Sequence, residues 1–327
     1  MKNFLLPILS LGFLFSCSGN QVTERNAEVE VLTSEIASMM PGTLHVTENY
    51  FVWTDPMSVQ NQAHVLDKAT AEEVGSLIDI GQGPDEYIAP IYTVGEGNTL
   101  LACDISRKQI GYYALDSLRA KGNPLLKRED ADIFAAIRVV EIGDGKFLTF
   151  DLMKEKPFIY EGKAFGKDPL DLNYENKYDI LQGNVAYNPE NQRLVYATIS
   201  FPYLAVYQKT SAGFDLLAES QKDFEYTLSE NEIHLDGKRI GASELTLTRD
   251  YIVTLQRDYA KDNTDETTVG RDVDKRPTTL FVYDYALNLK EIVNLNMPVM
   301  RITSDTKSNT IYLIGVQDDF ILGKVEL

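Results

Sequence analysis

The chain has 327 residues, 44% of them hydrophobic, enough to bury a large core in one closed repeat structure without a second domain. Its formal charge of -18 argues against nucleic acid or another polyanion as partner, because such binding rests on clustered Lys and Arg and no basic run occurs. Two cysteines, Cys17 and Cys103, are too few for a disulfide framework.

At the start, Lys2 and the apolar run 4–15 have the charge, length and polarity of a secretory leader, and the run is too short for a stable membrane span. Leu14, Phe15, Ser16 and Cys17 resemble the bacterial lipobox, in which a small residue precedes a cysteine that is lipidated and becomes the mature N-terminus. The alternative is ordinary cleavage near the same point, giving a soluble secreted protein. Residues 1–16 therefore read as a signal peptide and 17–27 as a lipid-anchored tether, on the polar composition of 18–27. Residues 28–327 read as the folded domain. Acyl chains on Cys17 would hold the protein to a membrane at roughly 0.8 kcal/mol per buried methylene.

Residues 28–32 alternate in polarity as a strand does, before any repeat unit is complete. The repeat that follows is carried by six related stretches: 49–55 (NYFVWTD), 98–104 (NTLLACD), 145–151 (GKFLTFD), 192–198 (QRLVYAT), 250–256 (DYIVTLQ) and 309–315 (NTIYLIG). Their ends, at 55, 104, 151, 198, 256 and 315, step by 49, 47, 47, 58 and 59 residues, which is the spacing of propeller blades. Each is the second strand of a blade.

First strands are expected at 43–46, 91–94, 137–142, 184–187, 244–248 and 300–303. Third strands are expected at 63–66, 110–115, 157–160, 203–207, 279–283 and 321–325, with 76–80 outermost in the first blade. The fold class is all-β, a six-bladed β-propeller. The last blade ends after its third strand, so 28–32 is expected to complete it and close the ring, removing an open sheet edge. Residues 125–137, with a charged start, are the one place where a helical turn or two is expected.

Two stretches interrupt the pattern. Residues 81–87 (GQGPDEY) link blade one to blade two, and their glycines and proline specify a tight turn. A phosphate cradle is the sharper reading, but such a loop should run into a helix and carry a Lys, which this one does not. The polar insertion 257–277 of blade five is either a disordered or solvated flap or a functional loop. The leader with its cysteine, the six-fold repeat and GQGPDEY together resemble the TolB-like six-bladed propeller lipoproteins of Bacteroidetes. The resemblance covers nearly all of the chain after the leader and implies a cell-envelope location, with the outer membrane expected. It supplies no catalytic residues.

Turns from second to third strands and links between blades share one face of a propeller. Asp55, Asp104, Asp151, Gly81, Gly83, Asp85, Glu86, Tyr87 and the insertion should therefore gather there as a candidate binding face. The aspartates either shape their turns by accepting backbone N–H bonds or bind a hard cation such as calcium, which needs several oxygens. No other cofactor is indicated. Arg138 and Arg301 occupy the second place of their expected inner strands, as His45 does. They either line the central channel, where they could hold an anion, or form salt bridges between blades.

His45, His64 and His234 lack zinc-site spacing, and no Gly-x-Ser-x-Gly elbow occurs. Cys103 reads as a small buried hydrophobe. The leading functional expectation is a non-catalytic module that recognises a protein, peptide or glycan on its loop-rich face. The alternative is an envelope lyase, lactonase or glycan hydrolase working through channel-mouth carboxylates.

Overall fold

The computed structural model describes residues 22–133, 136–235, 240–258 and 273–327. They form a six-bladed β-propeller. From the inside outward, blade one comprises Leu44–Val46, Tyr50–Thr54, Ala63–Asp67 and Glu73–Leu77. Blade two comprises Pro90–Val94, Thr99–Asp104, Gln109–Ala114 and Leu125–Asp130. Blade three has Arg138–Gly143, Lys146–Phe150, Phe158–Tyr160 and Lys163–Phe165, and blade four has Gly183–Asn188, Arg193–Thr198, Tyr203–Thr210 and Gly213–Gln221. Blade five has Glu244–Leu247, Tyr251–Gln256, Thr279–Asp284 and Leu289–Leu295. Blade six supplies Val299–Thr303, Thr310–Val316 and Phe320–Glu326 before the chain ends. Each inner strand lies beside the inner strands of both neighbouring blades, including blade six beside blade one.

The second strands explain why the repeat is legible. Each is buried on both faces, so its sequence is a continuous apolar run rather than an alternating one. In blade one, Tyr50 and Val52 pack towards blade two, whereas Phe51 and Trp53 pack towards blade six. In blade two, Leu100 and Ala102 face blade one, and Leu101 and Cys103 face blade three. The core is accordingly six clusters, one at each blade interface. Cys103 is fully buried, and burial pushes its thiol up to about 12, which keeps it in the unreactive form.

The asparagines that open two of the repeated stretches also join blades. Asn98 Oδ1 accepts the N–H of Asn49 at 2.9 Å, and Asn309 Oδ1 accepts that of Asp250 at 3.2 Å. In both cases the blade behind is tied by its innermost turn to the blade ahead.

Strand β2 (Glu30–Thr33) pairs antiparallel with Phe320–Glu326 and completes blade six, closing the ring with a segment from the start of the domain. Just before it, Val29 is buried in the interface of blades five and six, and its N–H donates to Asn296 Oδ1 at 3.1 Å. The expected tether, residues 17–27, is corrected in its last part. Strand β1 (Thr23–Ala27) pairs parallel with Leu289–Leu295 as a fifth strand of blade five. Its alternating exposure and the pairing of Arg25 with Glu291 at 2.7 Å show why a polar sequence can still be a strand: an edge strand keeps one face in water.

The helical expectation for 125–137 is likewise corrected. Leu125–Asp130 is the outer strand of blade two, and the short α-helices among the described residues are α1 (Asp116–Arg119) and α2 (Lys177–Leu181). On this outermost strand Lys127 and Asp130 face solvent while Arg128 turns in over Tyr87, a pattern that carries no helical signal. The outer strand of blade one is Glu73–Leu77 rather than 76–80, the segment from Ile78 onward having already entered the interblade link.

Closure by β2 predicts that Val29→Asp, which places a charge without a partner in an interblade core, lowers stability by about 2–4 kcal/mol. It should also promote self-association through the freed strand edge. The check is thermal unfolding together with sizing chromatography.

Candidate functional site

Turns between second and third strands and the links between blades lie on one rim, as the blade topology requires. The link 78–89 folds over blade two. Arg107, in that blade's second-to-third turn, donates Nη1 to the Gly83 carbonyl at 2.9 Å. Glu86 Oε2 accepts the Gly83 N–H at 2.7 Å, and its carboxylate fills the space a Cβ on Gly81 would need, so glycine at 81 answers to close approach.

Tyr87 is buried, accepts a hydrogen bond from the Tyr113 hydroxyl at 2.9 Å, and lies under the Arg128 guanidinium, 4.8 Å from the ring centroid. Arg128 also donates to the carbonyls of Pro84 and Asp85, both at 2.5 Å. Tyr87 therefore belongs to the core and is withdrawn from the candidate binding face. Its aromatic ring fills the space left by Gly111 and is spent on packing. In this link the Asp85 side chain is 92% exposed, with its carboxylate 3.8 Å from Arg128 Nη1.

The three repeated aspartates shape their turns. Asp104 is fully buried, its Oδ2 accepting the Ile88 N–H at 2.8 Å and its Oδ1 the Arg107 N–H at 3.0 Å. Asp55 Oδ1 accepts the Met57 N–H and Asp151 Oδ1 the Met153 N–H, each at 3.0 Å. Asp55 and Asp151 turn into their own loops and Asp104 bridges its loop to the preceding interblade link, and the three do not converge on a calcium site. Among the described residues no three His, Cys, Asp or Glu side chains gather as metal ligands. Most of the insertion 257–277 lies outside the described residues. Of its flanks, Val273–Lys275 forms one 3-10 turn, and Arg257 Nη2 donates to the Lys275 carbonyl at 2.7 Å.

The open polar surface of this rim is the mouth of the central channel, a space of about 860 Å³ lined by all six inner strands. Arg138 and Arg301 both line it. Arg301 donates Nη1 to Glu244 Oε1 at 3.0 Å and Nε to the Gly42 carbonyl. Arg138 donates Nη1 to the Ile137 carbonyl at 2.9 Å and makes no ion pair among the described residues.

These groups sit where inner strands begin. Where those strands end, Glu48, Glu96, Glu141, Glu190 and Asp305 line the same channel, with Lys68 and Lys307. The channel thus has a guanidinium end and a carboxylate-rich end. Burial raises the Glu141 carboxyl above its usual value, and the nearby charge of Glu96 adds to this. Arg276, at the end of the insertion, is pulled down by burial and then by Arg301, which shows that it lies in the same charged neighbourhood. Neither Arg276 nor Glu244 stood out in the sequence, because neither has a repeat-related counterpart.

His45 also lines the channel, with Nε2 3.0 Å from Thr43 Oγ1, and burial lowers it to about 4. Its depressed value makes the neutral ring part of the fold. The associated stability is present above about pH 6.5 and is lost as pH falls towards 4. His64 stacks on Trp53, with ring centroids 4.2 Å apart, and His234 is exposed on the hairpin that follows blade four in sequence.

No family model and no curated protein matches the chain. Among solved structures it is similar to the β-propeller domain of Myceliophteria thermophila Cps50 (Swd1), at 8% identity over 90% of this chain and 99% of that one, with a TM-score of 0.48. It is also similar to U3-55K, at 9% identity over 87% of this chain and 80% of that one, again with a TM-score of 0.48. At these values the likeness concerns the fold alone, and the blade assignment rests on the strand pairing.

The turn-shaping role predicts unequal costs. Asp104→Ala strands two backbone N–H donors in a buried setting and should destabilise by about 2–4 kcal/mol, whereas Asp55→Ala, nearer solvent, should cost about 0.5–1 kcal/mol. Denaturant unfolding of the two variants provides the comparison.

Proposed function

We propose that this protein is a non-catalytic recognition propeller of the cell envelope, held to a membrane, with the outer membrane favoured, through a lipid on Cys17. It takes a protein, peptide or glycan ligand on its loop-rich face. The observation that carries the reading is the contrast on that face between locked turns and an open channel mouth. Asp104, Asp151 and Glu86 hold backbone in place, and around them the mouth offers charged groups on rigid strands. A frame fixed in this way presents ligand-binding groups at little further ordering cost.

The anchor is supported by the leader, the lipobox-like residues before Cys17 and the resemblance to TolB-like propeller lipoproteins. Strand β1 adds an orientation. Thr23 is six positions beyond Cys17, so an extended link reaches about 20 Å at most. Thr23 also pairs beside Glu291, near the turn between the third and fourth strands of blade five, on the rim opposite the guanidinium end. A lipid on Cys17 would hold that rim towards the bilayer and leave the arginine mouth facing away.

Fractionation of cells expressing the wild type and Cys17→Ala tests the anchor. The wild type should stay with membranes through a carbonate wash and Cys17→Ala should leave them. Retention of the variant, with an unchanged N-terminal mass, contradicts it. For recognition, ligands that raise the melting temperature should be recovered chemically unchanged. Turnover of an envelope glycan or lactone that a single carboxylate substitution abolishes would favour an enzyme instead.

A further inference from the structure

Resting on the recognition reading, we propose that the guanidinium end of the central channel is an oxyanion site in which Arg138 and Arg301 clamp a carboxylate or phosphate group of a small ligand. Blades three and six face each other across a six-membered ring, so these two arginines approach the axis from opposite walls. The space between them opens on the rim that carries the interblade links.

The charge balance of this end points to an anion. Among the described residues Glu244 is the carboxylate that faces the arginines, and Arg301 already engages it at 3.0 Å. Arg138 and Arg276 lie in the same field without an ion pair among the described residues. A guanidinium has five donors in a planar fork and stays charged at any ordinary pH, so proton loss cannot relieve the imbalance. Arg138 uses one of its donors on the neighbouring Ile137 carbonyl and has the rest to offer to the channel.

The surroundings sharpen this. Arg138 is exposed to the channel, and partial desolvation there draws it below the usual guanidinium value, offset in part by Glu244 and reinforced by Arg301. Burial raises the Glu244 carboxyl despite both arginines, so this countercharge is itself weakened. An incoming oxyanion would supply the missing charge and accept a bidentate pair of N–H bonds, the geometry that guanidinium recognises best.

The rest of the channel sets the direction of approach. Glu48, Glu96, Glu141 and Glu190 line the opposite end, and the chain carries a formal charge of -18. An anion is therefore repelled from one mouth and drawn to the other, and low-dielectric walls focus that field along the axis. With about 860 Å³ in the channel, the ligand bearing the oxyanion can be larger than a single ion.

The test is a melting-temperature titration of the full-length protein in detergent with acetate, succinate and inorganic phosphate, each against sodium chloride at matched ionic strength. The site requires a saturable rise with at least one oxyanion that chloride does not reproduce. A carboxylate or phosphate preference then identifies the ligand's head group. Arg138→Gln should weaken the apparent affinity at least tenfold, and Arg138→Lys, which keeps the charge and loses the fork, should fall between. The lysine variant also serves if the glutamine variant fails to fold. Absence of any saturable response in the folded wild type overturns the site, as does an equal response in the Arg138 variants. Stabilisation by an uncharged glycan that is indifferent to Arg138 overturns the site and leaves the recognition reading standing. An oxyanion compound that binds through Arg138 and is chemically converted supports the site and overturns that reading.

Discussion

The structure depends on one junction, the pairing of β2 with the last strand of the chain. Six twisted sheets around an axis bury their faces against one another only if the sixth meets the first. Here blade six lacks a strand of its own, and β2 supplies it with Glu30 opposite Lys324 and Val31 opposite Gly323. Val29 then enters the core between blades five and six, where its side chain occupies the space that glycine at 323 leaves free. Segments about 290 residues apart therefore form one edge of the ring, and the cost of bringing them together is offset once, by a cooperative structure. Strand β1 extends the same junction on the neighbouring blade, where Arg25 reaches both Glu291 and the carbonyl of Glu326.

Rigidity at the ring passes to the site. The inner strands are fixed by core clusters behind them and by side-chain latches at their turns, so channel-lining groups keep their positions without contributing to the core. This division explains how a chain with a strong acidic excess can hold three guanidiniums near one mouth. The positions of Arg138 and Arg301 are set by inner-strand backbone that the interblade interfaces hold in place, and the electrostatic cost remains local.

Much of the fold was legible in the sequence because burial on both faces leaves a distinctive trace. NYFVWTD and NTLLACD read as continuous apolar runs, and the two packing faces of Phe51 and Val52 account for that pattern. Edge positions leave weaker traces. Thr23–Ala27 looks like a tether because much of its side-chain surface meets water and its stabilisation comes largely from backbone pairing and polar side-chain bonds such as Arg25 to Glu291. Leu125–Asp130 was obscured in the same way.

The candidate site was less legible. Asp55, Asp104 and Asp151 stand out by recurrence, yet recurrence tracked a turn that every blade must make. Tyr87 stands beside polar loop residues in sequence and under Arg128 in space. Arg138 and Arg301 could be found from strand position, whereas Glu244 and Arg276 come into view only when the ring brings blades three, five and six to one axis.

The most direct test of this account is native-state hydrogen exchange on the amides of Glu30–Thr33 compared with those of the inner strand of blade six, Val299–Thr303. If β2 closes the ring, both sets should exchange through the same large-scale opening, with matching free energies and matching denaturant dependence. Rapid exchange of the β2 amides while Val299–Thr303 stay protected would show that the ring stands without its clasp, and would contradict the account.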